Sequence, residues 1–139
     1  EAVRKTAERG IHQGAHFILG LPGETKEEML AMAPLINDLQ IDSVKFHQLQ
    51  IVKGTKMERE FAEHHDDFVT FALDEYIDFF IDLLENIRPD LCIERFAGEV
   101  PPRFVNTTPW GLIRNVELLR MLEARLEERN TWQGRLLTK

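Results

Sequence analysis

The chain has 139 residues, of which 43% are apolar and 29% are charged, and its formal net charge at pH 7 is −7. These values are typical of one modest globular domain, and the acidic charge disfavours generic nucleic-acid binding because it repels phosphate. The sequence has no apolar run near the roughly 20 residues that span a bilayer, and it has no evident signal sequence. Its single cysteine excludes a disulfide framework and a cysteine-based metal site within the chain. We therefore expect a cytoplasmic protein.

The chain begins inside a predicted helix, Glu1 to Arg9, which Gly10 ends as a C-terminal cap. Because no N-cap precedes this helix, we expect the chain to be a piece of a longer one. A buried strand is predicted from Ala15 to Gly20, since a short apolar run is bounded there by glycines. A tight turn follows this strand, and Thr25 with Glu28 forms a capping box that starts the next helix.

Helical spacing predicts that this second helix buries Met29, Met32, Ala33, Ile36 and Leu39. Pro34 should kink or break it, because proline lacks the amide proton that the helix needs. Polar and apolar residues then alternate from Ser43 to Ile51, which indicates a strand. Thr55 is predicted to cap a short helix through Phe61, and His64-His65-Asp66-Asp67 to form a solvated turn rather than a metal site, since its ligands lack helical spacing.

Asp74 is predicted to cap an amphipathic helix that buries Tyr76, Ile77, Phe80, Leu83, Leu84 and Ile87, and Pro89-Asp90 to end it. A third strand is predicted from Leu91 to Phe96, with Cys92 as a small buried apolar residue. A loop continues to Thr108, which with Pro109 forms an N-cap and first-position pair. The last helix, from about Trp110 to Arg129, is expected to bury Leu112, Val116, Leu119, Leu122 and Leu126, before a short tail, Trp132-Gln133-Gly134.

Three strand–helix units after a first helix predict an α/β fold with parallel strands, joined by right-handed crossovers. Three units are too few to close a barrel, which takes about 250 residues in its eight-stranded form. The chain is therefore either a small open sheet or half of a barrel, and its incomplete first helix favours the half-barrel. In both architectures ligands bind beyond the carboxyl ends of the strands, where residues 20–25, 50–55 and 95–103 form three loops.

The first of these loops is rich in glycine. Gly20 and Gly23 permit close backbone approach, and amides beyond them could bind a carboxylate or a phosphate. A plain tight turn without a ligand is an equally good interpretation of this spacing. A Walker loop is excluded, because no Gly-Lys-Ser/Thr follows.

Four further polar residues lie on the predicted strands. His16 and His47 fall on strands that can be neighbours, although a strand histidine is more often a hydrogen-bonded structural residue than a catalyst. Glu94 and Arg95 end the third strand, where a charged pair costs desolvation unless it has partners. That pair is therefore either a structural ion pair or a ligand contact, and Glu99 in the next loop could join it.

Four motifs in chain order carry a resemblance to a known family: His16-x-Ile18-x-Gly20-Leu21-Pro22-Gly23-Glu24-Thr25; Lys45-Phe46-His47-Gln48-Leu49-Gln50 with Lys53-Gly54-Thr55; Ile93-Glu94-Arg95-x-x-Gly98-Glu99-x-Pro101; and Trp132-Gln133-Gly134. Together they resemble the C-terminal half of a YhcC-like radical SAM protein. That group is similar to the coproporphyrinogen dehydrogenase and methylthiotransferase branches of the superfamily.

The resemblance implies part of a TIM-type (β/α)6 barrel whose first half carries a CxxxCxxC motif for a [4Fe-4S] cluster. The cluster reduces S-adenosylmethionine (SAM) to methionine and a 5′-deoxyadenosyl radical, which abstracts hydrogen from the substrate. By similarity, residues of the first strand and its turn would line the SAM pocket, namely Ile18, Gly20, Pro22, Gly23 and Glu24. The backbone of Gln48, Leu49 and Gln50 would contact the adenine, and His16, His47, Glu94 and Arg95 are candidates to face the substrate.

This chain lacks the cysteine triad, since Cys92 is its only cysteine. We therefore expect SAM and the [4Fe-4S] cluster to be cofactors of the parent protein, with no metal ligands in this fragment and weak or no SAM binding by it alone. We expect a single domain over 1–139, with barrel units to about 109 and a C-terminal helix and tail over 110–139.

The expected partners are the missing N-terminal half-barrel and an unidentified substrate, either a small molecule or tRNA-like, with no membrane contact. An exposed parallel edge also predicts self-association. The alternative to the radical SAM reading is a stand-alone α/β module that binds an anion or phosphate, or another protein.

Overall fold

Three parallel strands in the order β1-β2-β3 form the sheet of this α/β protein, as predicted. The computed structural model describes residues 1–105, 110 and 113–137. The elements follow in chain order as α1 (Ala2–Ala7), β1 (Gly14–Leu19), α2 (Lys26–Leu30), α3 (Met32–Asp38), β2 (Ser43–Gln48), α4 (Lys56–Glu63), α5 (Leu73–Leu84), β3 (Cys92–Arg95) and α6 (Asn115–Glu128), with short 3-10 turns at His65–Asp67 and Pro102–Phe104.

The strand register places Phe17 beside Phe46 and Ile18 beside His47. Between β2 and β3 the register shifts at Val44/Lys45, so that Arg95 pairs with Lys45. An irregularity of this kind sets two residues of one strand against one of its neighbour. Glu94 and Arg95 therefore both lie opposite Lys45.

Helices cover one face of this sheet. Phe46 points toward them and meets the ring of Phe80 edge-on at 5.2 Å between centroids. The core is completed by apolar side chains of α2, α3, α5 and α6, including Met29, Ile36, Ile77, Leu83, Leu118 and Leu122. On the opposite face no described helix packs, and the alternating residues of the two outer strands are exposed: Gly14, His16, Ile18, Cys92 and Glu94. We call this surface the bare face.

Tyr76 anchors α5 beneath the sheet. Its side chain is fully buried, and its hydroxyl donates to the backbone carbonyl of Phe96 at 2.6 Å. Burial raises the pKa of Tyr76, because the phenolate would lose its hydration. The hydrogen bond ties α5 to the loop that follows β3.

The predicted second helix is broken at Ala31 into α2 and α3, which confirms the local break expected from Pro34. The proline ring excludes a helical bond to the carbonyl of Leu30, four residues earlier. Thr25 and Glu28 form the predicted capping box, and Thr55 caps α4 as predicted.

Three predictions about individual residues were wrong. Cys92 is exposed rather than buried, because it lies on the bare face. Asp74 does not cap α5: the helix begins at Leu73, and the backbone amide of Ala72 donates to Glu75 instead. Val116 is 55% exposed, whereas Leu118 takes the buried position on α6.

The last helix begins at Asn115 rather than near Trp110, which lies in a turn and donates its indole N–H to the carbonyl of Phe71 at 2.8 Å. The predicted cap at Thr108 and Pro109 and the predicted core residue Leu112 lie outside the described residues. Among the residues that are described, no helix has the length and apolar character needed to cross a bilayer.

Candidate functional site

A cavity of about 660 Å³ opens at the carboxyl ends of the three strands, where ligands were predicted to bind. Its walls are the strand ends, the loop after β3 and the first turn of α6. Of the residues predicted to contact SAM, Gly20, Gln48, Leu49 and Gln50 line this cavity. Ile18 lies instead on the bare face, 47% exposed, and Pro22, Gly23 and Glu24 lie in the adjoining turn.

The glycine-rich turn after β1 already binds a carboxylate of its own chain. Glu24 Oε2 accepts the backbone amides of Gly20 at 2.9 Å and Leu21 at 3.0 Å, and the Gly23 amide donates to the carbonyl of Asp67 at 2.6 Å. Gly20 has φ +82°, and a Cβ there would lie 3.2 Å from the carbonyl oxygen of Val69. Since its amide donors are taken, this turn does not fit an external phosphate or carboxylate.

A side-chain clamp joins β2 to the loop after β3. Gln48 Oε1 accepts the Gly98 amide at 2.7 Å, and Gln48 Nε2 donates to the Gly98 carbonyl at 3.3 Å. A Cβ at Gly98 would lie 3.3 Å from His47 Nδ1, so the glycine permits close packing on that ring. The Gln48 side chain therefore fixes the mouth of the cavity, whereas the family resemblance implied only an adenine contact by its backbone.

Next to this clamp, the residues that follow β2 form a largely apolar wall of the cavity. The Leu49 amide donates to the Leu19 carbonyl at 2.8 Å, which extends the β1–β2 pairing past the end of both strands. Within the described part of the chain, no partner is recorded for the amide of Gln50. Leu49 and Ile51 thus bring apolar side chains to the cavity, and Gln50 between them has a backbone amide that is free to donate.

Asn115 is a site residue that sequence reasoning missed. Its Nδ2 donates to Ala97 O at 3.0 Å and to Glu99 Oε1 at 2.7 Å, while Glu99 also accepts the Asn115 amide at 2.7 Å. These hydrogen bonds lower the pKa of Glu99. Glu99 therefore holds the start of α6 rather than pairing with Glu94 and Arg95. The sequence analysis missed it because the last helix was predicted to begin near Trp110, which placed Asn115 inside the helix instead of at its start.

The bare face carries the polar strand residues. Glu94 accepts hydrogen bonds from Ser43 and from Lys45, whose Nζ lies 3.1 Å from Glu94 Oε2, and these bonds lower the pKa of Glu94. Glu94 thus forms a structural ion pair, which is one of the two alternatives left open by the sequence, but its partner is Lys45 and not Arg95.

The two strand histidines meet on the same face. His16 Nδ1 lies 3.2 Å from His47 Nε2, and the rings stack with centroids 5.2 Å apart. Desolvation, then the charges of His16, Arg95 and Lys45, lower the pKa of His47. The structure brings the four candidate substrate-facing residues onto one surface, and their function stays a prediction.

Comparison with known proteins places this geometry in a family. Residues 41–128 match the Radical_SAM C-terminal domain. The Bacillus subtilis protein YtqA is 30% identical over 139 residues, covering 100% of this chain and 42% of YtqA, and Escherichia coli YhcC is 40% identical over 50 residues, covering 36% of this chain and 16% of YhcC. The chain spans about two fifths of the length of the curated relatives that match it from end to end.

A solved structure of Elp3 from Methanocaldococcus infernus with an N-terminal deletion superposes with a TM-score of 0.75 at 17% identity. The match covers 95% of this chain and 30% of the Elp3 chain, and it confirms the predicted fold, part of a radical SAM-type barrel. With the domain match and the YhcC and YtqA similarities, the resemblance drawn from the four motifs is confirmed: the chain belongs to the radical SAM C-terminal domain family.

Proposed function

We propose that this chain is the C-terminal part of a radical SAM core and that it supplies one wall of the SAM pocket. The observation that carries the proposal is the cavity at the strand ends, walled by residues 48–51 and held open by the clamp from Gln48 to Gly98. SAM supplies a 5′-deoxyadenosyl radical for hydrogen abstraction when it is bound beside a reducing cluster.

The residues present fit the adenosine part of SAM. A volume of about 660 Å³ falls within the range of ordinary small-molecule pockets. Leu49 and Ile51 offer apolar contacts to a purine, and the Gln50 amide is a donor for a purine ring nitrogen. Phe68 and Phe71 add aromatic surface that excludes water from the same cavity.

The residues present do not fit an iron–sulfur cluster. The chain has one cysteine, and the described residues include no group of three His, Cys, Asp or Glu side chains placed to hold a metal. A cubane cluster needs thiolate ligands that this chain does not provide. We therefore place the cluster in another segment of a longer protein and assign no step through it to these residues.

The proposed partner of the chain is that missing half of the barrel. β1 and β3 are each paired on one side only in the described sheet, and parallel edges of this kind invite further strands. In the isolated chain the same edges favour self-association with a second copy. The substrate, a small molecule or a tRNA-like molecule, would meet the bare face, which becomes the barrel interior.

The test uses the complete gene product that carries this chain, anaerobically reconstituted with iron and sulfide, and measures SAM binding by calorimetry. Gln48→Ala removes the clamp on Gly98, and we expect SAM affinity to fall by about tenfold, a loss of about 1.4 kcal/mol. The matched control is Gln133→Ala, which also removes two hydrogen bonds, to the carbonyls of Arg88 and Leu91, away from the cavity.

The control should leave SAM affinity unchanged while lowering stability by a comparable amount. No measurable SAM binding by the wild-type holoprotein, or equal losses of affinity in both variants, would overturn the proposal.

A further inference from the structure

The bare face gathers basic nitrogen groups from all three strands near their carboxyl ends. His16 comes from β1 and His47 from β2, with their ring nitrogens 3.2 Å apart. Arg95 ends β3 and pairs with Lys45 in the sheet register, and its charge lowers the pKa of His47. Lys45 lies beside them but is neutralised by Glu94, at 3.1 Å.

Arg95 is the unexplained member of this group. It is half-buried, yet no hydrogen bond or ion pair is recorded between its guanidinium and any other residue that the structure describes. The carboxylates near it are engaged elsewhere: Glu94 by Ser43 and Lys45, and Glu99 by Asn115. The charge of Arg95 contributes to the lowered pKa of Glu99, but no direct hydrogen bond or ion pair joins the two side chains.

We propose that His16, His47 and Arg95 bind an oxyanion of the substrate, a carboxylate or a phosphate, on the bare face. Guanidinium and imidazolium groups are the donors that bind such groups with charge-assisted hydrogen bonds. The assignment of this face to the substrate rests on the proposed function, because only in a completed barrel is it an interior surface next to SAM.

A cation is the competing ligand for two histidines, and the surroundings disfavour it. The described residues give these imidazoles no third His, Cys, Asp or Glu ligand. Arg95 would also repel a metal ion, since its charge already disfavours protonation of His47. The same charge attracts an anion, which would in turn favour the protonated form of His47.

The test follows the ring signals of the five histidines by NMR while sodium sulfate is added to the protein without SAM. Sulfate keeps its charge across the titration range, so only the protein titrates. We expect the His16 and His47 signals to move and those of His12, His64 and His65 to stay. At sulfate ten times above its dissociation constant, the pKa of His47 should rise by about one unit, if the anion binds only the protonated ring.

Arg95→Gln should abolish the sulfate effect on His47, and Arg95→Lys should restore part of it. Arg103→Gln, at an exposed arginine stacked on Phe104, is the matched control and should leave the effect intact. Sodium acetate in a parallel titration distinguishes a carboxylate site from a phosphate-like one.

The proposed anion site would be overturned if the signals of all five histidines moved equally or if none of them moved. It would also be overturned if sulfate raised the pKa of His47 as much in Arg95→Gln as in the wild type. Because SAM is absent from this titration, such a failure is separate from a failure of SAM binding.

Discussion

Glu24 Oε2 lies 2.9 Å from the backbone amide of Gly20, so a carboxylate of the chain itself fills the turn that ends the first strand. The same oxygen accepts the Leu21 amide at 3.0 Å. A glycine-rich turn with converging amides is the usual form of an anion site, and here Glu24 occupies it. The turn therefore stabilises the carboxyl end of β1 instead of presenting donors to a ligand.

Glu24→Ala should lower the free energy of unfolding by about 1–3 kcal/mol, because two amides lose a charged acceptor. Urea denaturation of the protein measures this change. The control is Glu27→Ala, in the first turn of α2, where a surface substitution should cost within about 0.5 kcal/mol. Equal losses in the two variants would show that the Glu24 hydrogen bonds contribute nothing.

The alternation of strands and helices was predictable because it follows from local patterns. The apolar run before Gly20, the capping box at Thr25 and the N-cap at Thr55 act through neighbours in sequence. All three strands and the parallel sheet were therefore predicted, with strand ends displaced by at most three residues. Cys92 was misplaced because the sequence does not state which sheet face the helices cover.

The candidate site was predictable in location but not in its internal bonds. Parallel strands direct their carboxyl ends to one edge, which places Gly20 and Gln48 at one cavity. The Gln48 side chain bonds Gly98, 50 residues away, and Asn115 bonds Ala97 across 18 residues. Contacts of that separation depend on the packed loop, so one sequence without the fold cannot assign them.

His47 predicts a pH dependence of stability. Its pKa is lowered in the folded state, mainly by desolvation, whereas an unfolded histidine titrates near about 6.5. Between these two values the unfolded chain binds more protons, so the contribution of His47 to stability falls as the pH drops below about 6.5. Replacing His47 should therefore reduce the loss of stability on acidification.

Urea denaturation at pH 8 and pH 5 compares wild type with His47→Gln, and the titrating groups that do not interact with His47 cancel in the difference. We expect the wild type to lose more stability than the variant between the two pH values. His64→Gln, in the exposed segment before the 3-10 turn, is the control. If His47→Gln lost more free energy of unfolding between pH 8 and pH 5 than the wild type, the pKa of His47 would be raised and not lowered by folding.

Tyr76 gives a second pH dependence, at the alkaline end. It is the chain's only tyrosine, so tyrosinate absorbance reports on this residue alone. Its pKa is raised by burial, whereas an unfolded tyrosine ionises near about 10. Above that pH the unfolded chain releases a proton that the folded chain retains, so stability falls as the pH rises.

We expect tyrosinate to form only as the helical circular dichroism is lost. This should happen at a higher pH than the pH at which Tyr76 ionises in the guanidinium-unfolded protein. Tyr76→Phe should cost about 1–3 kcal/mol, because the buried Phe96 carbonyl loses its donor at 2.6 Å. Tyrosinate that forms reversibly while the circular dichroism is intact would show that solvent reaches the hydroxyl. In that case the Tyr76 hydroxyl would not be buried, and its hydrogen bond would not hold α5 against the loop after β3.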